Sequence, residues 1–443
     1  MIVVLSQGCA ANFGDGEKIA RILSQKSEVT FEFPETNVAH STSAANLAAS
    51  RTEKPEAFYL NVCTVKGNAG AMKLLRKAAS TFPGVPIYIT GCAPKDFREE
   101  ALRAVPNVQF TSLKELEASA PPPSSLTAAQ PARTPVSNKG SRNVLRESPF
   151  VGIVNIEEGC LDACAFCSTH LVKGRLHSFA PQTIVDQVQA LVDDGCLEIQ
   201  LTGQDCACYG FDIGTNLAEL TQRILTHVNG NYRIRLGMGN PRHVLGYQEA
   251  LLDCFTDDRI YKFIHIPVQS GSENVLKAMN RRHTARDYAT LAHAFTERFS
   301  KFTLSTDLIV GYPGETAEDF NDTLNLLKET RPTVCNITRF VARPGTVAAH
   351  LEASGQAVPD AIKHERSAIL AEAFQQIALE NNREWIGDEC AVVTEKQGYR
   401  AGTTIARNAA YRPVALQSTF PAGQTLRVRI TEAEPFALIA KPL

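Results

Sequence analysis

No apolar run in the 443 residues approaches the roughly 20 needed to span a bilayer. The start, Met1-Ile-Val-Val-Leu5, is too short for the apolar core of a secretion signal and lacks a basic lead. The end, Phe436-Ala-Leu-Ile-Ala440, is too short for a tail anchor. These absences predict a cytosolic chain with no membrane partner. There is also no strong net charge: the balance of −2 gives no global signal for nucleic acid, so charge must be read locally. Apolar content of 44 % is ordinary for a globular protein, and the length allows two or three domains. Cysteine, by contrast, is plentiful. Twelve of them in a reducing compartment read as metal ligands or core residues, not disulfides.

Three lie in one short stretch, Cys160-x3-Cys164-x2-Cys167, directly after the strand-like run 151–156. Three thiolates from one loop can hold three corners of an iron–sulfur cube and leave the fourth iron open to a small molecule and to electron transfer. The competing reading is a zinc site closed by His170, which would crowd all four ligands into one turn.

Before this loop, strands and helices alternate. Strands are predicted at 1–5, 57–60 and 85–90, with helices at 15–23 and 69–79, the pattern of a parallel sheet with crossover helices. Each strand runs out into a cysteine: Gly8-Cys9, Asn61-Val-Cys63 and Gly91-Cys92. Ligands bind at the carboxyl ends of such strands, so Cys9, Cys63 and Cys92 can converge on a second three-liganded metal site. The alternative is three small buried thiols.

Residues 118–149, with Pro121-Pro-Pro123 and Pro131 to Pro135, read as a mobile or extended linker. Alternation resumes with strands at 151–156, 197–201, 233–237, 263–268, 303–310 and 335–341, and helices at 183–192, 217–228, 284–299 and 316–329. Six units suit a partial barrel open on one side, with chemistry at the rim where Gln204, Asp205, Asn240, Gln269, Ser270 and Arg343 follow the strands. Asp307 sits within its apolar strand and is predicted to point inward. A helix at 361–383 leads to short strands at 390–393, 412–416, 425–430 and 436–439, the pattern of a small β-barrel. Between Lys396 and Thr431 there is no acid, but there are Lys396, Arg400, Arg407, Arg412, Arg427 and Arg429, with Tyr399 and Tyr411 among them. Cations for phosphates and aromatics for bases suggest RNA binding; the alternative is a solvated face. Cys206 and Cys208 lie near the rim without a metal-ligand pattern, and Cys196, Cys254, Cys335 and Cys390 read as structural.

The ordered motifs resemble the radical S-adenosylmethionine (SAM) methylthiotransferase family. They are Gly8-Cys-Ala-Ala-Asn12, Asn61-Val-Cys-Thr-Val65, Gly91-Cys-Ala-Pro94, the cysteine triplet, Leu201-Thr-Gly-Gln204, His265-Ile-Pro-Val-Gln269, Met279-Asn-Arg-Arg282, Asp307 through Glu315, and Arg343-Pro-Gly-Thr346. Asp212-Ile-Gly-Thr-Asn216, Leu236-Gly-Met-Gly-Asn-Pro241 and Arg407-Asn-Ala-Ala-Tyr-Arg-Pro413 look like its archaeal and eukaryotic tRNA threonylcarbamoyladenosine branch. The resemblance implies three domains: 1–117 with an auxiliary cluster, 150–383 as the radical SAM barrel, and 384–443 as an RNA-binding TRAM barrel. It implies two 4Fe-4S clusters, the first on Cys160, Cys164 and Cys167, where SAM is cleaved, and the second on Cys9, Cys63 and Cys92. It places Phe166, Thr202, Gly203, Gln204, Gln269 and Asp307 around SAM. The implied reaction is methylthiolation of N6-threonylcarbamoyladenosine at tRNA position 37, at the adenine carbon between the ring nitrogens, with two SAM consumed. The implied partners are the tRNA anticodon loop and an electron donor protein. Sister substrates are isopentenyladenosine in tRNA and a ribosomal-protein aspartate. A reading from another class is a metal-dependent RNA-binding module without catalysis.

Overall fold

The computed structural model describes residues 1–34, 54–63, 68–119 and 145–443. They form two compact units, Met1–Asn155 and Ile156–Leu443.

The first unit is a five-stranded sheet, all parallel, in the order Val29–Thr30, Ile2–Ser6, Ala57–Cys63, Ile87–Cys92, Gln109–Phe110. Side chains alternate along Ala57–Cys63, so Phe58, Leu60 and Val62 enter one apolar core while Ala57 and Tyr59 enter another. Both faces are therefore buried, so the predicted parallel sheet with crossover helices is doubly wound. Helix Ala10–Leu23 starts five residues earlier than its apolar spacing suggests, because Cys9 stands at its N-cap and accepts from the amides of Asn12 and Phe13 at 3.0 and 3.1 Å. Most of the predicted linker, residues 120–144, lies outside the described residues. Its far end is not loose: the Glu147 amide donates to Glu17 Oε1 at 3.3 Å within this unit.

The second unit begins with the central domain. Of the six predicted strands, Val151–Asn155 closes the first unit and five lie in the second. Glu198–Thr202 pairs with Arg233–Leu236, and Phe263–His265, Thr303–Val310 and Val334–Arg339 form a second parallel set. A parallel bridge from Ile234 to Ile260 links the two sets. Helices Ala285–Arg298 and Ala317–Thr330 begin where the sequence places them, because Thr284 with Asp287 and Thr316 with Asp319 form reciprocal caps. After helix Asp360–Arg383 the chain closes a five-stranded barrel in the order Glu389–Gln397, Thr404–Asn408, Pro413–Leu416, Ala437–Pro442, Thr425–Glu434. Strand Thr404–Asn408 was missed by the hydropathy pattern, since Ala406 and Asn408 carry its buried positions. This barrel belongs to the same compact unit as the central domain. Among the described residues, no helix is long and apolar enough to cross a membrane.

Candidate iron–sulfur and SAM site

In the first unit the three strand-end cysteines gather. Cys63 and Cys92 are direct Cα partners on neighbouring strands, and the side chains of Cys9 and Cys63 are hydrogen-bonded. That interaction, together with burial, raises the Cys9 thiol well above its usual range. Gly8 has φ of +115°, and a β-carbon there would lie 2.9 Å from Cys63 Sγ. Only glycine lets the two cysteine-bearing segments approach so closely. Two asparagines tie the segments together. Asn12 Nδ2 donates to the carbonyls of Gln7 (2.6 Å) and Asn61 (2.9 Å), and Asn61 Nδ2 returns a bond to the Asn12 carbonyl. The sequence motifs contain these asparagines without revealing their mechanical role.

In the second unit the loop of Cys160, Cys164 and Cys167 is held from two sides. On one side, Met279 accepts from the Ala165 amide (2.9 Å), Asn280 Nδ2 donates to the Ala163 carbonyl (2.7 Å), and Arg281 Nη1 donates to Cys164 Sγ (3.4 Å). On the other, Asp162 is a shared acceptor. It takes bonds from Asn240 Nδ2 (2.5 Å) and Arg242 Nη1 (2.6 Å), and His243 Nε2 lies 3.0 Å away. Burial pushes the Asp162 carboxyl up, but His243 and the guanidinium of Arg242 outweigh it and hold the group down to about 2. Gln204 Oε1 accepts from the Gly159 amide at 2.7 Å, fixing the loop's entry. Buried Cys208 donates its thiol to the Asp205 carbonyl at 3.1 Å, and its side-chain interaction with Cys160 holds Cys160 below and Cys208 above the usual thiol range. Glu157, buried beneath the loop, accepts from the Asp205 amide at 3.0 Å through one oxygen; the other has no hydrogen-bond partner among the described residues. Burial raises its carboxyl to about 8. Asn240 was expected at the rim and Arg281 stands within the Met279-Asn-Arg-Arg282 motif, but Asp162, Arg242, His243 and Glu157 were not predicted as site residues; they meet only in the fold.

The donor set fits an iron–sulfur cube. A cluster ligated by three thiolates carries negative charge, and the loop meets it with the Arg281 guanidinium and with the Asp162 amide, 3.4 Å from Cys160 Sγ. Among the described residues, the one trio of candidate ligands close enough for a single ion is Asp162, Asp205 and His243. The three thiols with His170 do not form the tight tetrahedron that zinc requires.

The predicted SAM residues fall into two groups. Thr202, Gly203 and Gln204 lie beneath the cysteine loop: the Thr202 carbonyl accepts from the Ile156 amide at 2.9 Å, and any side chain at Gly203 would strike Glu157. Gln269 and Asp307 lie on the other strand set. Gln269 adopts φ of +78°, rare without glycine, and is locked by backbone bonds of 2.8 Å to Asp307 and from Ile309. Asp307 Oδ1 accepts from Asn336 Nδ2 at 2.7 Å and lies 3.1 Å from His265 Nε2. His265, in the motif that leads to Gln269, is therefore a partly exposed partner of Asp307. Phe166 packs against the apolar cluster of Val275, Met279, Tyr312, Phe340 and Ala348.

The six basic residues of the C-terminal barrel do not share one face. Lys396 and Arg400 are exposed, and Tyr399 is 95 % exposed with Lys396 Nζ 6.0 Å from its ring. Arg427 and Arg429 are exposed but both pair with Glu389. Arg412 is a correction: it is buried, donating to Asn382 Oδ1 (2.6 Å) and Thr333 Oγ1 (3.1 Å), and cannot reach RNA. Arg407 is partly buried and already engaged, paired with Glu395 and stacked over Tyr411 at 4.3 Å. The acid-free run finds its acids just outside itself, at Glu389 and Glu395.

A three-cysteine loop carried by parallel β/α units defines the radical SAM class. Residues 154–327 match the Radical SAM superfamily. The fold is similar to a solved structure of the radical S-adenosylmethionine methyltransferase TsrM from Kitasatospora setae, with TM-score 0.52 and 13 % identity over 80 % of this chain and 76 % of that one. Two archaeal proteins are nearer in sequence, both called probable threonylcarbamoyladenosine tRNA methylthiotransferase. The one from Archaeoglobus fulgidus is 41 % identical over 65 % of this chain and 66 % of its own length. The one from Pyrococcus horikoshii is 34 % identical over 90 % and 89 %. The chain belongs to the radical SAM methylthiotransferase family, in its tRNA threonylcarbamoyladenosine branch. It is thus a transferase that uses SAM and a 4Fe-4S cluster, and the reading as a non-catalytic module falls.

Proposed function

We propose that this enzyme methylthiolates N6-threonylcarbamoyladenosine at tRNA position 37, using two SAM molecules and an auxiliary cluster on Cys9, Cys63 and Cys92. The observation that carries the reading is the convergence of those thiols: Cys63 opposite Cys92, with Cys9 within hydrogen-bond reach of Cys63. A redox enzyme of one cluster has no use for a second three-thiol cradle, whereas sulfur insertion needs one.

When bound, the clusters and SAM supply the electron, the substrate radical and the sulfur. The chain's own residues supply placement. Cys160, Cys164 and Cys167 hold the cluster that serves SAM, Arg281 offsets its charge, and the Asp162 hub keeps the loop from shifting. Thr202, Gly203, Gln204, Gln269 and Asp307 are the proposed SAM contacts, with Phe166 positioning the loop by packing. Lys396, Arg400 and Tyr399 are the C-terminal barrel's proposed contacts to tRNA, with Arg427 and Arg429 released from Glu389 as secondary ones. An electron donor protein is required to reduce the cluster.

Mass spectrometry of tRNA nucleosides from a strain lacking this gene tests the reading. Loss of the methylthio form of threonylcarbamoyladenosine alone is the expected result. Loss of methylthiolated isopentenyladenosine, or unchanged tRNA, overturns it.

A further inference from the structure

The hairpin that joins strands Thr404–Asn408 and Pro413–Leu416 does something unusual with Tyr411. The residue has φ of +59°, a backbone conformation that a tyrosine adopts only under constraint. The constraint is Asn408, whose buried Oδ1 accepts from the amides of Ala410 and Arg412, both at 3.0 Å. The turn thus aims the ring away from its own barrel and into the central domain. There the phenol donates to Glu198 Oε1 at 2.9 Å and takes a weaker bond from Gln200 Nε2 at 3.4 Å. The ring packs at 4.9 Å from Tyr261 and 5.1 Å from Phe263, and the Arg235 guanidinium lies 5.4 Å from its centre.

The side chains that receive it share one side of their strands. Ile199, Leu201, Ile234 and Leu236 are buried on the opposite, helix-covered side. Glu198, Gln200 and Arg235 therefore face the barrel's interior. Glu198 opens its strand and Gln200 is its third residue, whereas Gln204 and Asn240, which hold the cysteine loop, follow the strand ends. Two more bonds fasten the turn to this lower end: the Lys262 amide to the Ala409 carbonyl (2.9 Å), and Thr303 Oγ1 to the Ala410 carbonyl (2.6 Å).

We infer that Tyr411 is a positioning residue: the C-terminal barrel inserts it as the floor of the central domain's interior, closing the end opposite the cysteine loop and fixing the RNA-binding barrel to the reaction chamber. A strained, mostly buried tyrosine with its hydroxyl on a partly buried carboxylate is not needed merely to pack two domains. A closed floor keeps water from rising through an open half-barrel to a radical site. A fixed dock sets the distance from Lys396 and Arg400 to the rim, so that RNA held by the barrel is delivered in one register.

The inference rests on the proposed function for its RNA readout only. Full-length Tyr411→Ala and Tyr411→Phe are compared with wild type after cluster reconstitution. In the alanine variant, amide exchange in Glu198–Thr202 and Arg233–Leu236 is expected to speed up by about tenfold or more. Methylthiolated nucleoside formed per deoxyadenosine released is expected to fall by about fivefold or more, with iron content and RNA affinity within about twofold of wild type. The phenylalanine variant, which keeps the ring and loses the bond to Glu198, should fall between. Unchanged exchange, an unchanged product ratio, or a loss of RNA affinity as large as the loss of product overturns the inference. Should the alanine variant lose its iron, the phenylalanine variant decides: no faster exchange in those two strands overturns it. If wild type makes no methylthiolated nucleoside, the proposed function fails, while the exchange comparison still tests the floor.

Discussion

Cys63 and Cys92 face each other as partners on adjacent parallel strands, at the last residue of each. The pairing fixes two corners of the proposed metal cradle by backbone register alone, and Gly8 brings the third, Cys9, alongside. A register-set cradle resists distortion, because moving one cysteine means slipping a strand.

Replacing one corner should therefore separate the two clusters. In Cys63→Ala, iron is expected to fall from about eight to about four per chain. Deoxyadenosine should still form, without thiolated product. Normal product, assayed on purified tRNA, would clear Cys63 of a cluster role.

The loop of the second unit gives the converse result. Cys164→Ala should abolish deoxyadenosine formation, since it removes a proposed ligand of the electron-donating cluster. Asp162→Ala should leave all three thiols in place but strand the donors Asn240, Arg242 and His243. Breaking such a buried hub costs about 3 kcal/mol. The expected outcome is a lower melting temperature and faster loss of iron to a chelator than wild type.

The basic residues of the C-terminal barrel should split into two classes. Arg412→Ala should lower stability by roughly 2 to 4 kcal/mol, because its buried partners Asn382 and Thr333 are left unsatisfied. Lys396→Ala should leave the melting temperature unchanged and weaken RNA binding, with a shallower salt dependence. Thermal melts and salt titrations on the same preparations read both; equal effects of the two substitutions would refute the division.

His283 makes stability depend on pH. It is buried, and burial followed by the nearby Arg281 lowers it to about 3. The folded chain keeps it neutral, whereas the unfolded chain takes up a proton below about pH 6.5. Its contribution is complete above that value and is lost as pH falls toward 3, by at most about 1.4 kcal/mol per unit. Denaturant melts from pH 7 to pH 4 should show a gentler decline for His283→Leu; parallel curves would rule the histidine out.

The sequence by itself determined the β/α alternation, the cysteine triplet, and the three strand-end cysteines. All are local: hydropathy period and residue spacing do not need a partner elsewhere. The tertiary structure decided which charged and aromatic side chains face solvent. Lys396, Arg407 and Arg412 look alike in sequence, yet one is exposed, one is held by Glu395, and one is sealed against Asn382 and Thr333. Likewise Tyr399 stands in solvent while Tyr411 reaches Glu198. The cost of burying a polar group is met by partners that can lie a hundred residues or more away, as about 200 separate Tyr411 from Glu198, so no local pattern could assign its direction.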